Sequence, residues 1–160
     1  MNLTDNNIGN EGSIALSEAI TSNTVLHTLG LGNNSIMASG ARALATMLES
    51  NHTLQRLMLD NHEMHDAAHR NCVADEGTTA LAKMLENNHT LYFLNLTDAG
   101  TTPESVRRLA DALDIGNTSI IKLEVHPNLD PKLERLLSRN MQTHRASQKL
   151  KAKLKRMRTR

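Results

Sequence analysis

Aromatic side chains are almost missing from this chain of 160 residues: Tyr92 and Phe93 are the only two. A core of any size must therefore be built from Leu, Ile, Met and Ala. Cysteine occurs once, at Cys72, which excludes an internal disulfide and fits a reducing compartment. No apolar run is long enough to span a bilayer. The opening MNLTDNNIGN lacks the basic start and apolar run of a secretory signal, so none is expected.

Catalytic signatures are missing as well. Gly30-Leu31-Gly32 lies within an expected strand and is not followed by the helix start and lysine of a phosphate loop. No serine sits in a nucleophile elbow with a histidine base. The expectation is a chain without catalysis and without a cofactor. Asn-x-Ser/Thr triplets, as at Asn51 and Asn88, are by-products of the repeat described next and are not read as glycosylation sites.

What the chain has is leucine and asparagine recurring in phase. Leu26, Leu29, Leu31, Asn34 and Ile36 are followed by Gly40, Leu44, Met47, Leu48 and Asn51. The first group alternates with period two, as a short strand does, and the second repeats at three and four, as a helix does. One strand and one helix cannot bury their own apolar faces, so the unit must stack on copies of itself. Leu3, Asn6, Ile8, Gly12, Leu16, Ile20 and Asn23 match it. So do Leu54, Leu57 and Leu59 with Gly77, Leu81, Leu85 and Asn88, and Leu91, Leu94 and Leu96 with Leu109, Leu113 and Asn117. Ile120, Leu123 and Val125 begin a last, incomplete unit. The wide gap between Asn51 and Asn88 holds one period plus an insertion, expected at about 64–76, and His62 falls where the unit wants its first asparagine.

L-x-x-L-x-L-x-x-N-x-I followed by G-x-x-x-L-x-x-M-L-x-x-N resembles the ribonuclease-inhibitor-like class of leucine-rich repeats. That class includes ribonuclease inhibitor, the GTPase-activating protein of Ran, the NOD-like receptors and tropomodulin. The resemblance covers roughly residues 1–130. It implies an α/β leucine-rich-repeat solenoid, a short right-handed horseshoe of about four to five strand–helix repeats. It carries the fold and leaves the function open. The chain opens partway into a unit, with Met1 at the second leucine position, so a fragment, a neighbour covering that end, or a permissive first repeat that simply frays is expected. Residues 131–138 read as the start of a capping helix with Leu133, Leu136 and Leu137 on the last repeat, and tropomodulin's closing helix is a family parallel.

Strands are expected near 29–31, 57–59, 94–96 and 123–125. Helix starts are legible at Thr102-Pro103 and Asp130-Pro131, each a cap before proline. Side chains between the strand leucines point away from the core. They give a displayed stripe of Thr28, Gly30 and Gly32, then Arg56, Met58 and Asp60, then Phe93, Asn95 and Thr97, then Lys122, Glu124 and His126. Partners of such solenoids bind that face. Aromatic, Met and Arg side chains are the usual anchors, so Arg56, Met58, Asp60, Phe93, Asn95, Lys122 and Glu124 are the candidate partner-binding residues.

The insertion carries histidines. Were it helical, His62, His65, His69 and Cys72 would share a face, and His65, His69 and Cys72 have the spacing to grip zinc. A histidine-rich surface loop, or a docking element, is the commoner explanation, and no metal is assigned.

Net charge of +1 hides a division. Arg139 to Arg160 hold nine of the eighteen Lys/Arg and no acid, which leaves nine Lys/Arg against all seventeen Asp/Glu in an acidic body of −8. Residues 139–160 form a basic tail, with Lys149, Lys151, Lys153, Lys155, Arg156, Arg158 and Arg160 around Leu150, Leu154 and Met157. RNA or another phosphate surface, an acidic protein such as tubulin or a calmodulin-type receptor, a nuclear localisation reader, and plain solvent all fit it. No aromatic accompanies the charges for base stacking, and the acidic body repels phosphate, which favours an acidic protein. The expected function is a cytoplasmic protein–protein binding or scaffold module, with a cytoskeletal or ciliary assembly as its setting. The alternatives are an RNA-associated protein held by the tail and metal binding at the insertion.

Overall fold

The computed structural model describes residues 1–62, 67–126 and 130–158. Helix α1 (Gly9–Thr21) is followed by four strand–helix units. These are β1 (Thr28–Gly30) with α2 (Ala38–Ser50), β2 (Arg56–Met58) with α3 (Ala74–Leu85), β3 (Phe93–Leu96) with α4 (Pro103–Ile115), and β4 (Lys122–Val125) with α5 (Pro131–Arg158). The strands form one parallel sheet in chain order, each beginning one residue ahead of the expected position. The first residues extend it: Leu3 N–H donates to the Gly30 carbonyl at 2.8 Å and Gly30 N–H to the Met1 carbonyl at 3.0 Å.

Register follows from the leucines. Leu29, Leu57, Leu94 and Leu123 stand side by side across the sheet, and each is buried. Leu31, Leu59, Leu96 and Val125 form the next buried row. Helix residues Leu44, Leu48, Leu81, Leu85, Leu109 and Leu113 close the same core from the other side. A period-two row and a period-3.6 row thus meet in one apolar seam. The loops after the opening residues, after β1 and after β3 each enter the left-handed region twice, at Asp5 and Asn7, Asn33 and Ser35, and Asp98 and Gly100. Asn, Asp and Gly accept that conformation most readily.

Two ladders of asparagine hold the units in phase. At the helix ends, Asn51 donates to the Ile20 and Asn23 carbonyls, Asn88 to Leu48 and Asn51, and Asn117 to Leu85 and Asn88. Each also accepts two N–H groups of its own turn, as Asn88 does from Thr90 and Leu91. Each amide therefore satisfies buried backbone groups on two neighbouring units, which no apolar residue can do.

The second ladder, at the strand ends, corrects the expected alignment. Asn71, and not His62, takes the asparagine position of the β2 unit. Its Oδ1 accepts from Asn34 and Ile36 N–H, and its Nδ2 donates to the Leu31 and Leu59 carbonyls. Asn34 makes the matching set with the first unit. The extra residues therefore fall at 62–70 and not at about 64–76, and α3 already begins at Ala74. His62 is exposed, with its backbone N–H on Asn33 Oδ1 at 3.1 Å. In the β3 unit the position is taken by Ala99, and Asn61 bridges the gap by donating to the Asn71 and Asp98 carbonyls.

Both expected helix starts form. Thr102 and Ser105 make a reciprocal capping box ahead of α4, and Asp130 Oδ1 accepts from Lys132 N–H at 2.8 Å. The division expected between a capping segment and a tail falls inside one continuous helix, α5. Its root packs Leu133, Leu136 and Leu137 against the core. Asn140 then serves as the next rung: its Nδ2 donates to the Asn117 carbonyl at 2.9 Å and the Ile120 carbonyl at 2.8 Å. Arg139 adds a bond to the Leu113 carbonyl. Lys132 Nζ lies 2.7 Å from Asp111 and 3.0 Å from Asp114, which raises the lysine pKa and lowers that of Asp114.

Glycine sets the approach of α3 to α2. A methyl on Gly77 would stand 2.8 Å from Val73 Cγ1 and 2.9 Å from Ala41 Cβ. Gly77→Ala is therefore expected to destabilise by about 1–3 kcal/mol through overpacking, although a helix interior ordinarily gains about 1 kcal/mol from that change. Urea unfolding of the two proteins checks the sign.

Candidate functional site

The outward faces of β1 to β4 make two rows, because the parallel register aligns equivalent residues. Thr28, Arg56, Phe93 and Lys122 form the first row, and Gly30, Met58, Asn95 and Glu124 the second. All seven candidate partner-binding residues lie on this face. Its geometry differs from a simple apolar display. Phe93 is only 5% exposed, because the Arg56 guanidinium carbon sits 4.9 Å and the Lys122 Nζ 4.8 Å from its ring centroid. Two cations from the flanking strands bracket one aromatic ring, an arrangement stabilised by the ring quadrupole. Arg56 Nε is buried and has no hydrogen-bond partner among the described residues. Lys122 is also paired along its own strand, with Glu124 Oε1 at 2.6 Å.

Met58 and Phe93 occupy different rows, so Met58 leans the other way. Its Cε would touch a Cβ on Gly30 at 3.5 Å, and the glycine leaves it room. Together they border a groove of about 410 Å³ that Asn2, Asp60, His62 and Asn95 also line. Asp60 is 8% exposed and lies 3.3 Å from His62 Nε2. Asn95 is turned onto its own chain, with Oδ1 accepting from Thr97 N–H and Oγ–H. The face thus offers two cations over one ring, one flexible thioether, and the carboxylates of Asp60, mostly buried, and Glu124, paired with Lys122. It holds no nucleophile beside a base among the described residues.

A larger groove, of about 480 Å³, opens on the helical side between Arg42, Asp75, Glu76, Glu104 and Arg108. Its charges are mutually neutralised: Arg42 pairs with Glu76, and Glu104 with Arg107 and Arg108. The Thr102 hydroxyl donates to Asp75 at 2.8 Å and holds its carboxyl below the usual range.

The helical histidine face does not form across the described part of the insertion. His69 ends a single 3-10 turn, Ala67–His69, and Cys72 is extended, bridged to Met37. His65 lies outside the described residues. Among the described residues no three His, Cys, Asp or Glu are grouped to hold a metal ion. Lys149, Lys151, Lys153 and Lys155 stand exposed on α5, whose backbone continues through Arg156 and Arg158. Arg160 lies outside the described residues. No described helix is long and apolar enough to cross a membrane.

Two solved domains share this architecture. One is actin-binding site 2 of leiomodin-1, 28% identical, with a TM-score of 0.81 over 96% of this chain and 87% of that one. The other is the tropomodulin C-terminal domain of Caenorhabditis elegans, with a TM-score of 0.75 over 92% of this chain and 87% of that one. At 16% identity the second shows the fold alone. No family model matches the sequence, and no curated protein matches it. The mixed α/β arrangement, a four-stranded parallel sheet with five helices, is similar to the tropomodulin C-terminal domain. Sequence reasoning missed Asn71 and Asn140 as rungs and the stacking of Arg56 and Lys122 on Phe93, all of them contacts whose partners lie in another unit.

Proposed function

We propose that this chain is a leucine-rich-repeat solenoid of the ribonuclease-inhibitor type, acts without catalysis as a protein-binding module, and has actin as its partner. The observation that carries the reading is its likeness to the leiomodin-1 actin-binding site, which extends over nearly the whole chain at 28% identity. A cytoskeletal setting in the cytoplasm follows from the same likeness. Tubulin and nucleic acid, the other partners expected from the basic tail, draw no support from either neighbour.

The sheet face is the proposed contact surface. Arg56 and Lys122 present cations over Phe93 and suit a partner carrying carboxylates, while Met58 supplies an adaptable apolar contact. Co-sedimentation with actin filaments, and gel filtration with polymerisation-blocked monomers, test the reading. Wild type is expected to pellet or co-elute. Met58→Glu, at a half-buried position, should weaken the association by about tenfold or more and leave the melting temperature unchanged. Absence of binding to both forms of actin sinks the proposal.

A further inference from the structure

Helix α5 leaves the body at Asn140, and every described side chain from Met141 onward is exposed. At about 1.5 Å per residue, residues 141–158 project roughly 27 Å. Most helical stability in proteins comes from tertiary packing, which the exposed residues of this stretch do not supply, and the stretch opposes itself. Arg145, Lys149 and Lys153 follow one another at i, i+4 spacing, and like charges so placed repel. No acid lies between Arg139 and Arg160 to offset them. A polyanionic surface removes that repulsion, so the geometry of the projection calls for one.

We propose that the projecting half of α5 docks on the surface of an anionic lipid bilayer. At 3.6 residues per turn its described cations occupy about 200° of the helix circumference. Leu150, which is 58% exposed, falls in the remaining arc, and the sequence continues that position with Leu154 and Met157 four and seven residues on. A wide cationic arc around a narrow apolar one is the pattern of a helix lying in the interface, with cations among headgroups and leucine in the acyl boundary. Nucleic acid leaves Leu150 unused and finds no aromatic on α5 to stack on. The acidic body does not forbid the approach. The tip stands several Debye lengths, at about 8 Å each in physiological salt, from the last packed residue.

Flotation of the full chain with vesicles, in the absence of actin, tests this independently of the actin reading. Binding to phosphatidylcholine vesicles containing phosphatidylserine should exceed binding to phosphatidylcholine alone by about tenfold or more and fall steeply with salt. Joint replacement Lys149→Glu, Lys151→Glu, Lys153→Glu and Lys155→Glu should abolish it. Leu150→Ser should weaken vesicle binding several-fold and leave any association with poly(U) RNA unchanged. Equal binding to neutral vesicles, no binding to charged ones, or tighter binding to poly(U) with Leu150→Ser silent in the vesicle assay would each overturn the proposal.

Discussion

Asn71→Ala is expected to destabilise the chain by about 3–5 kcal/mol, whereas His62→Ala should change stability by no more than about 0.5 kcal/mol. Asn71 is 2% exposed, and its amide joins four backbone groups belonging to the β1 and β2 units. Truncation leaves two N–H and two C=O groups buried where water does not reach, and each such orphan costs on the order of 1–3 kcal/mol before relaxation. Total stability for a domain of this size is only about 5–15 kcal/mol, so the loss should be plain in urea unfolding. His62 is exposed, and its one described backbone bond survives truncation of the side chain. If His62→Ala proved the costlier change, the insertion would have been placed wrongly.

Leu94→Ala should cost about 3–5 kcal/mol, the range of a fully buried leucine whose surroundings cannot collapse. Leu94 is flanked in register by Leu57 and Leu123 and is 0% exposed. Because each unit touches only its neighbours, a cavity at β3 weakens both of its interfaces at once. Asn95→Ala, one residue along the strand, removes only a local pair of bonds to Thr97 and should cost about 1 kcal/mol. The contrast between adjacent positions tests the parity of the strand directly. Comparable costs at the two positions would mean that β3 is not a one-sided strand.

Residues whose partners sit within their own unit were legible from sequence. Leu29 and Leu31, Leu94 and Leu96, and the caps at Thr102 and Asp130 declare strand, helix and boundary through spacing alone. Residues whose role is set by a neighbouring unit were not. His62 holds the right offset from Leu59, and only the four bonds made by Asn71 show which residue closes the ladder. Asn140 lies 23 residues after Asn117, off the period and inside a helix, so no repeat search finds it as a rung. Phe93 reads as an outward residue from the strand period alone. Its burial depends on Arg56 and Lys122 reaching across from both flanking strands, which follows from register and long side chains and not from the local pattern. The run of cations after Arg139 reads as a tail because charge marks it off, yet the backbone continues the helix begun at Pro131.

Methionine footprinting with and without actin tests the central claim most directly. Met58 lies on the sheet face, while Met37, 41% exposed, and Met141, 38% exposed, lie away from it. Binding through the sheet face predicts that oxidation of Met58 slows several-fold when actin is added while Met37 and Met141 react as before. Unchanged Met58 oxidation at actin concentrations that saturate co-sedimentation would contradict it.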